Sequence, residues 1–456
     1  MAEAFQTAAG ASSFEHPSDN KSLAQTLQRT LDLKHAAQND VDWQEFRAQA
    51  HAIKKFAIEN LDRLLLEFEQ SFCARGGTVL WASTREDAAA HVLDICRRHG
   101  ATSVVKGKSM LSEEIELNAT LEQAGISAVE TDLGEYIVQL AGQRPSHIVG
   151  PALHLSRQDI GEIFSDKLGL PYTDDPDALM NAARLRLRQC YFEAGAGITG
   201  VNFAAADTGT VVVVENEGNG GLSASVPAVQ IFLMGIEKVI PRLVDLPIFL
   251  RLLARAATGQ KLTSYTHHFL GAEAGKHAYC VLVDGGRTRI LADPRTRESL
   301  YCIRCGACLN VCPVYRRAGG WAYQSAYSGP IGAVITPQLR GIDQAAELPF
   351  ASTLCGACKQ ECPVDIDLPH QLVYLRKKAV EHAAFPSRSE RGLMRAFALM
   401  MRFGWTYSLG VYLLRFVLRR YGHKSAGPKI LASWLATRTL PEVPADTFKQ
   451  WWSKRR

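Results

Sequence analysis

Cys302, Cys305, Cys308 and Cys312 are separated by two, two and three residues, and Pro313 closes the run. Cys355, Cys358, Cys362 and Pro363 repeat the last part of that pattern. Thiolates are soft anionic donors, and pairs two residues apart let one tight loop reach several corners of an iron–sulfur cubane. Zinc also takes four thiolates, but a four-cysteine run ending in Cys-Pro, followed by a second Cys-x3-Cys-Pro, points to iron. In two-cluster ferredoxins the fourth cysteine of each run crosses to the other cluster. Cluster one, a [4Fe-4S] centre, would then take Cys302, Cys305, Cys308 and Cys362. Cluster two would take Cys312, Cys355, Cys358 and a donor three residues before Cys355, where the chain has Ser352. Three explanations stand open: a [3Fe-4S] centre, a [4Fe-4S] centre completed by serine oxygen or another non-cysteine ligand, or a thiolate from Cys73, Cys96, Cys190 or Cys280. Those four lie in apolar neighbourhoods and read as small buried hydrophobes.

A second group of residues has weaker signals. Lys106 and Lys108, in Lys-Gly-Lys-Ser, sit between a strand pattern and a helix pattern. They could cradle an anion with ammonium groups and free backbone N–H groups, or be surface lysines on a turn. Glu130 and Asp132 end the next strand pattern, where a carboxylate can move a proton or bond a substrate hydroxyl, or cap the following helix. His147 is a candidate for acid–base chemistry, against the commoner role of a satisfied structural histidine. Glu215, the second catalytic candidate beside His147, and Asn219, a candidate for substrate binding, belong to a glycine-rich loop after a strand pattern, the position where open α/β sheets bind ligands, or a mere turn.

The elements that must position these groups follow from periodicity. Strand-like segments at Thr78 to Ala82, Ser103 to Lys106, Ser127 to Glu130 and His147 to Val149 alternate with helical ones, predicting an α/β domain around a mostly parallel sheet. One strand over Ile198 to Ala206 is expected to pair with Thr210 to Val214 through an Asp-Thr-Gly turn. A single helix is expected over Asp42 to Cys73, and another over Ser112 to Ala124. These patterns divide the 456 residues into a disordered stretch (1–22), a helical region (23–75), the α/β domain (76–294), the two-cluster segment (295–385) and a helical tail (386–456). The net charge of +5 hides an asymmetry. From Arg376 onward there are 17 Lys/Arg against 4 Asp/Glu, so positive charge is concentrated in the tail. Its charge-free stretch, Phe403 to Leu414, has 12 residues, short of the ~18 needed to span a bilayer. An amphipathic helix meeting a partner groove or the inner face of the cytoplasmic membrane fits better than a nucleic-acid contact. Residues 1–20 carry no signal-peptide pattern, so the expected location is cytoplasmic, where thiols stay reduced.

Taken together, Lys106-Gly-Lys-Ser-Met110, Glu130 through Leu140, Arg144-Pro-Ser-His-Ile148, Gly197 through Phe203, Glu215-Asn-Glu-Gly-Asn219 and Cys302 through Cys308 resemble the lactate-utilisation protein B family. The resemblance implies an α/β lactate-utilisation domain similar to the ribose-phosphate isomerase and CoA-transferase-like fold, followed by a ferredoxin-like segment. It implies an iron–sulfur subunit of a system oxidising L-lactate to pyruvate. The implied partners are a cysteine-rich-domain protein and a second protein with the lactate-utilisation domain. A subunit for another 2-hydroxy acid such as glycolate, or a redox- or iron-sensing module, are the alternatives.

Overall fold

In the computed structural model the described residues are Phe5, 17–143, Pro145, 150–382, 388–421 and 443–455. The expected strand at His147 to Val149 therefore lies outside them. A helix runs over Pro17–Gln38, so the stretch expected to lack structure overlaps an ordered element by six residues.

Among the described residues ten strands form two sheets. β1 (Thr78–Ala82), β2 (Ser103–Lys106), β3 (Ser127–Glu130), β4 (Ala196–Gly200), β7 (Val229–Gly235) and β10 (His277–Val283) make a parallel sheet in the order β1-β10-β7-β4-β2-β3. β5 (Phe203–Ala205), β6 (Thr210–Glu215), β8 (Val239–Ile240) and β9 (Tyr265–Phe269) make a smaller sheet in the order β8-β5-β6-β9. The sheet is covered on both faces, so its inner strands need no alternation. Every residue of β7, Val-Gln-Ile-Phe-Leu-Met-Gly, is buried, as expected of a central parallel strand.

Three expected elements divide. Ile198 to Ala206 is two strands in different sheets: Val201 N–H donates to Leu233 O on β7, and Asn202 N–H donates to Val212 O on β6. The Asn202 side-chain oxygen also takes the N–H of Val214, so the chain changes sheets at this pair. The Asp42 to Cys73 helix breaks into Trp43–Glu59 and Leu61–Cys73 at Asn60, whose φ and ψ of −121° and 29° leave the helical range. Asn60 ties its own backbone and side-chain N–H groups to Phe56 O, which ends the first helix. The Ser112 to Ala124 helix breaks at Glu116, which has φ of 53° and divides Met110–Glu114 from Leu117–Gln123.

Residues 1–385 form one compact unit and 386–456 a second. Within the first, one apolar core runs from Phe232, Met234 and Leu282 under the parallel sheet to Leu309, Val334 and Leu372 around the cysteine runs. The expected division at 294/295 therefore falls inside a shared core. The N-terminal helices hold the second cysteine run directly. Arg47 donates to Cys362 O at 2.8 Å and pairs with Asp365 at 2.7 Å, and buried Lys34 pairs with Glu361.

The two parts also meet at Arg287, whose side chain is 1% exposed. Its Nε donates to Glu237 at 2.6 Å, and its Nη1 and Nη2 grip both oxygens of Glu114 at 3.0 and 2.8 Å. Tyr327, from the insert between the cysteine runs, donates its hydroxyl to Glu114. Breaking such a buried pair leaves charges without compensation. Arg287→Met is therefore expected to lower stability by about 3–5 kcal/mol, read as a fall in the denaturation midpoint. A loss below about 1 kcal/mol would show the node to be solvent-relaxed.

Candidate functional site

The two cysteine runs share a backbone. Arg304 and Leu354, each just before the second position of its run, have φ of 61° and 56°, and Gly306 and Gly356 have φ of 78° and 84°. Left-handed backbone at those paired positions turns each run into a short helix, Ala307–Val311 and Ala357–Gln360. The bend aims the Arg304 N–H at Cys302 Sγ, 3.4 Å away. In the second run the matching Leu354 N–H donates to Ser352 Oγ at 3.1 Å. Ser352 thus occupies the structural counterpart of Cys302.

The thiols fall into two electrostatic groups. Burial, then the Cys302 and Cys362 sulfurs, push the Cys305 thiol up to about 12. Cys308 is raised by burial, then by Cys302, Cys305 and Cys358. Cys358 is pushed up to about 12 by burial and then by Cys312 and Cys355. Cys302, Cys305, Cys308 and Cys362 are therefore neighbours, as are Cys312, Cys355 and Cys358, and Cys308 faces Cys358 across the groups. Buried thiols that oppose one another's ionisation are suited to a cationic metal core, which reverses that cost. The Ile366 N–H also donates to Cys362 Sγ at 3.4 Å. These donors fit two iron–sulfur clusters with the crossed assignment. Among the described residues no three ligating side chains gather round a single-ion position; cubane thiolates, each on its own iron, need no such convergence.

A cavity of about 250 Å³ opens at the carboxyl ends of β2, β4, β6 and β7. Lys108, Asp132, Glu215 and Asn219 line it. Lys106 and Glu130 do not: they form a buried pair at 2.7 Å behind the wall, with Lys106 also bonded to Ser112 and Glu113. Burial acts to lower the Lys106 ammonium, but Glu130, then Glu113, outweigh it and hold it charged. Asp132 accepts from Glu135 N–H as the N-cap of Leu133–Leu140. Both Glu215 oxygens are engaged, by the N–H groups of Gly220 and Gly221 and by His267 Nε2, each at 2.7 Å. The Asn219 amide, oriented with its nitrogen toward Glu215 at 2.9 Å, accepts from Asp132 N–H at 3.1 Å. Glu215 thereby shapes the wall. His147 lies outside the described residues.

Sequence reasoning missed five further residues of this lining, Glu237, Lys238, Arg287, Arg304 and Tyr327, and named Cys305 as a cluster ligand without placing it here. Two charges directly after the apolar run of β7 were the available signal for Glu237 and Lys238. Arg304 gave none, because it reads as a spacer between ligands. Burial acts to raise the Glu237 carboxyl, yet Arg287, Arg304 and Lys238 hold it at about 2. Burial, then Arg304, lower Lys238 to about 8. Burial, then Lys238, lower Lys54 to about 7. Cations are crowded here. Because Cys305 belongs to the wall, the α/β cavity borders the first cysteine run.

The chain matches the LUD domain over residues 65–290, the 4Fe-4S dicluster domain over 298–366 and the lactate utilisation protein B C-terminal family over 375–456. It is 43% identical over 423 residues to lactate utilization protein B of Oceanobacillus iheyensis, covering 91% of this chain and 88% of that one. It is 40% identical over 445 residues to lactate utilization protein B 2 of Bacillus mycoides, covering 95% and 93%. Among solved structures, a DUF162 family protein from Deinococcus radiodurans aligns with TM-score 0.28 and 12% identity over 49% of this chain and 98% of that one. That superposition is too loose to bear on the fold.

Glu135, beside the Lys106–Glu130 pair, lines a second cavity, of about 540 Å³. Its Oε2 has no partner, and burial, then Glu130, raise its carboxyl well above the usual range. The folded chain thus keeps a proton that the unfolded chain releases above pH 4.5. Stability should fall as pH rises from there toward the raised folded value, by up to about 1.4 kcal/mol per unit from this group. Glu135→Gln should flatten that slope in denaturation curves taken across the range. An unchanged slope would show the group ionised in the native state.

Proposed function

This chain belongs to the lactate utilization protein B family and is an iron–sulfur protein of lactate utilisation, and we propose that it is the electron-transfer subunit of a complex oxidising L-lactate to pyruvate. The observation that supports this most directly is Cys305 in the wall of the α/β cavity. Cys305 is buried, whereas Cys355 of the second set is exposed, so the first set borders an internal pocket at Cys305 and the second reaches the surface at Cys355. When bound, a [4Fe-4S] cluster and a second [4Fe-4S] or [3Fe-4S] cluster supply one-electron transfer, and a pair matches the two electrons that leave with two protons as a 2-hydroxy acid becomes a 2-oxo acid.

The residues of this chain have separable tasks in that reading. Asp132, Asn219 and Glu215 fix the cavity wall, and Lys108 adds a cation to it. Lys106 and Glu130 brace the ends of β2 and β3. The proposed partners are a cysteine-rich-domain protein and a second lactate-utilisation-domain protein. No helix among the described residues is long and apolar enough to cross a membrane. Within the tail, Trp405, Tyr412 and Phe416 are exposed, a surface suited to those partners or to peripheral contact with the membrane's inner face.

Anaerobically prepared protein should contain iron and sulfide for two clusters, and L-lactate should reduce them when the partners are present. Absence of iron, or clusters reducible by dithionite but never by L-lactate with partners, would overturn the reading; preferential reduction by glycolate would reassign the substrate. Ser352→Cys should change only the cluster-two signals in electron paramagnetic resonance. A spectrum identical to wild type would remove position 352 from the ligand set.

A further inference from the structure

The cation-rich side of the cavity is not accounted for by the contacts around it. Arg287 is saturated by Glu114, Glu237 and Asp284 O. Arg304 is different. Its side chain is 9% exposed and its Nη2 reaches Glu237 Oε1 at 3.3 Å. Its guanidinium lies over the Tyr327 ring, 4.5 Å from the centroid, but its buried Nη1 has no hydrogen-bond partner. A buried guanidinium N–H without an acceptor is costly, and a native structure normally supplies one. Lys238 lines the same cavity and, among the described residues, no ion pair is found for it. Glu237 serves both Arg287 and Arg304, so the local carboxylates are already committed. The space is small against the ~300–1,000 Å³ of pockets for drug-sized ligands.

We propose that this cavity binds a small monocarboxylate of the 2-hydroxy or 2-oxo acid class, with its carboxylate between Arg304 Nη1 and Lys238 Nζ. A planar guanidinium edge and a point ammonium are complementary to a carboxylate. Asp132 and Asn219, in the same lining, are the polar groups then available to the substituent on the second carbon. This deepens the electron-transfer reading, because it puts the acid on this subunit, against the wall that contains Cys305, and it rests on that reading for the choice of acid. The occupied site also supplies the acceptor that Nη1 lacks.

The test uses iron-loaded full-length protein under anaerobic conditions, with L-lactate, pyruvate and the neutral analogue lactamide titrated by calorimetry. L-Lactate and pyruvate should bind saturably, and lactamide should bind at least about tenfold more weakly, the loss expected for one charge-assisted hydrogen bond. Lys238→Met and Arg304→Gln should each weaken pyruvate binding by about tenfold or more. Iron content and the paramagnetic resonance spectrum of the reduced Lys238→Met protein should match wild type, which separates lost binding from lost folding. Equal affinity for lactamide, or unchanged affinity in both variants, would overturn the site. So would an Arg304→Gln protein whose cluster potential shifts while pyruvate binds as before, since Nη1 would then serve the cluster alone. Absence of carboxylate binding in a protein whose clusters are still reduced by L-lactate through its partners removes this site and leaves the electron-transfer reading intact. Iron-free protein removes that reading instead.

Discussion

The buried Arg287 node is the constraint on which the rest of the structure depends. Glu114 follows β2, Glu237 follows β7, and Arg287 follows β10, so one guanidinium joins three carboxyl ends of the parallel sheet. Tyr327 and Arg304 bring the cluster segment to the same point. A buried ion pair is not by itself a strong source of stability, because desolvation offsets its attraction. Its effect here is geometric: Arg287 bonds Glu114 and Glu237 through separate faces of its guanidinium, which fixes how the strand ends stand relative to one another. The cavity is the space left beside that fixed arrangement, and Cys305 enters its wall because Arg304, one residue earlier, is anchored on Glu237.

The two cysteine runs show how local backbone can be conserved within one chain while the chemistry differs. A non-glycine residue with positive φ is uncommon, yet Arg304 and Leu354 both adopt it at matching positions. The turn aims an N–H at the first donor of each run, a sulfur in Cys302 and an oxygen in Ser352. Serine therefore replaces cysteine without altering the loop. The difference between the two sets lies in one donor atom and in exposure, with Cys355 at the surface and Cys305 enclosed.

Much of this was legible in the sequence where the signal was local. The spacing of the cysteines pointed to iron–sulfur clusters, in agreement with the dicluster match over 298–366, and the alternation of strand and helix located β1, β2 and β3. Lys108, Asp132, Glu215 and Asn219 line the cavity because they stand at or just after strand ends. Elsewhere the deciding partner was distant. Nothing local in Ile198 to Ala206 marks the change of sheet, which depends on Leu233 and Val212 as hydrogen-bond acceptors. β7 gives no alternation because both its faces are covered. Lys106 and Glu130 look like ligand residues until Glu113 and Ser112 are seen to enclose the lysine.

Charge provides the last connection between the fold and its chemistry. Lys54, Lys238, Arg287 and Arg304 gather near the first thiol set, against the carboxylates of Glu114 and Glu237. Lys54 is buried and donates to the backbone carbonyls of Glu237 and Val239, so its ammonium has acceptors but no carboxylate of its own. An interior relieves such a surplus by making the ammonium groups easier to deprotonate, as at Lys54 and Lys238, and by negative charge supplied from elsewhere. Ionised thiols holding a cluster are one source and a small acid in the cavity is the other. The two act on the same cations, so binding of the acid and the electron state of the neighbouring cluster are coupled through Arg304 and Lys238, and each must alter the free energy of the other.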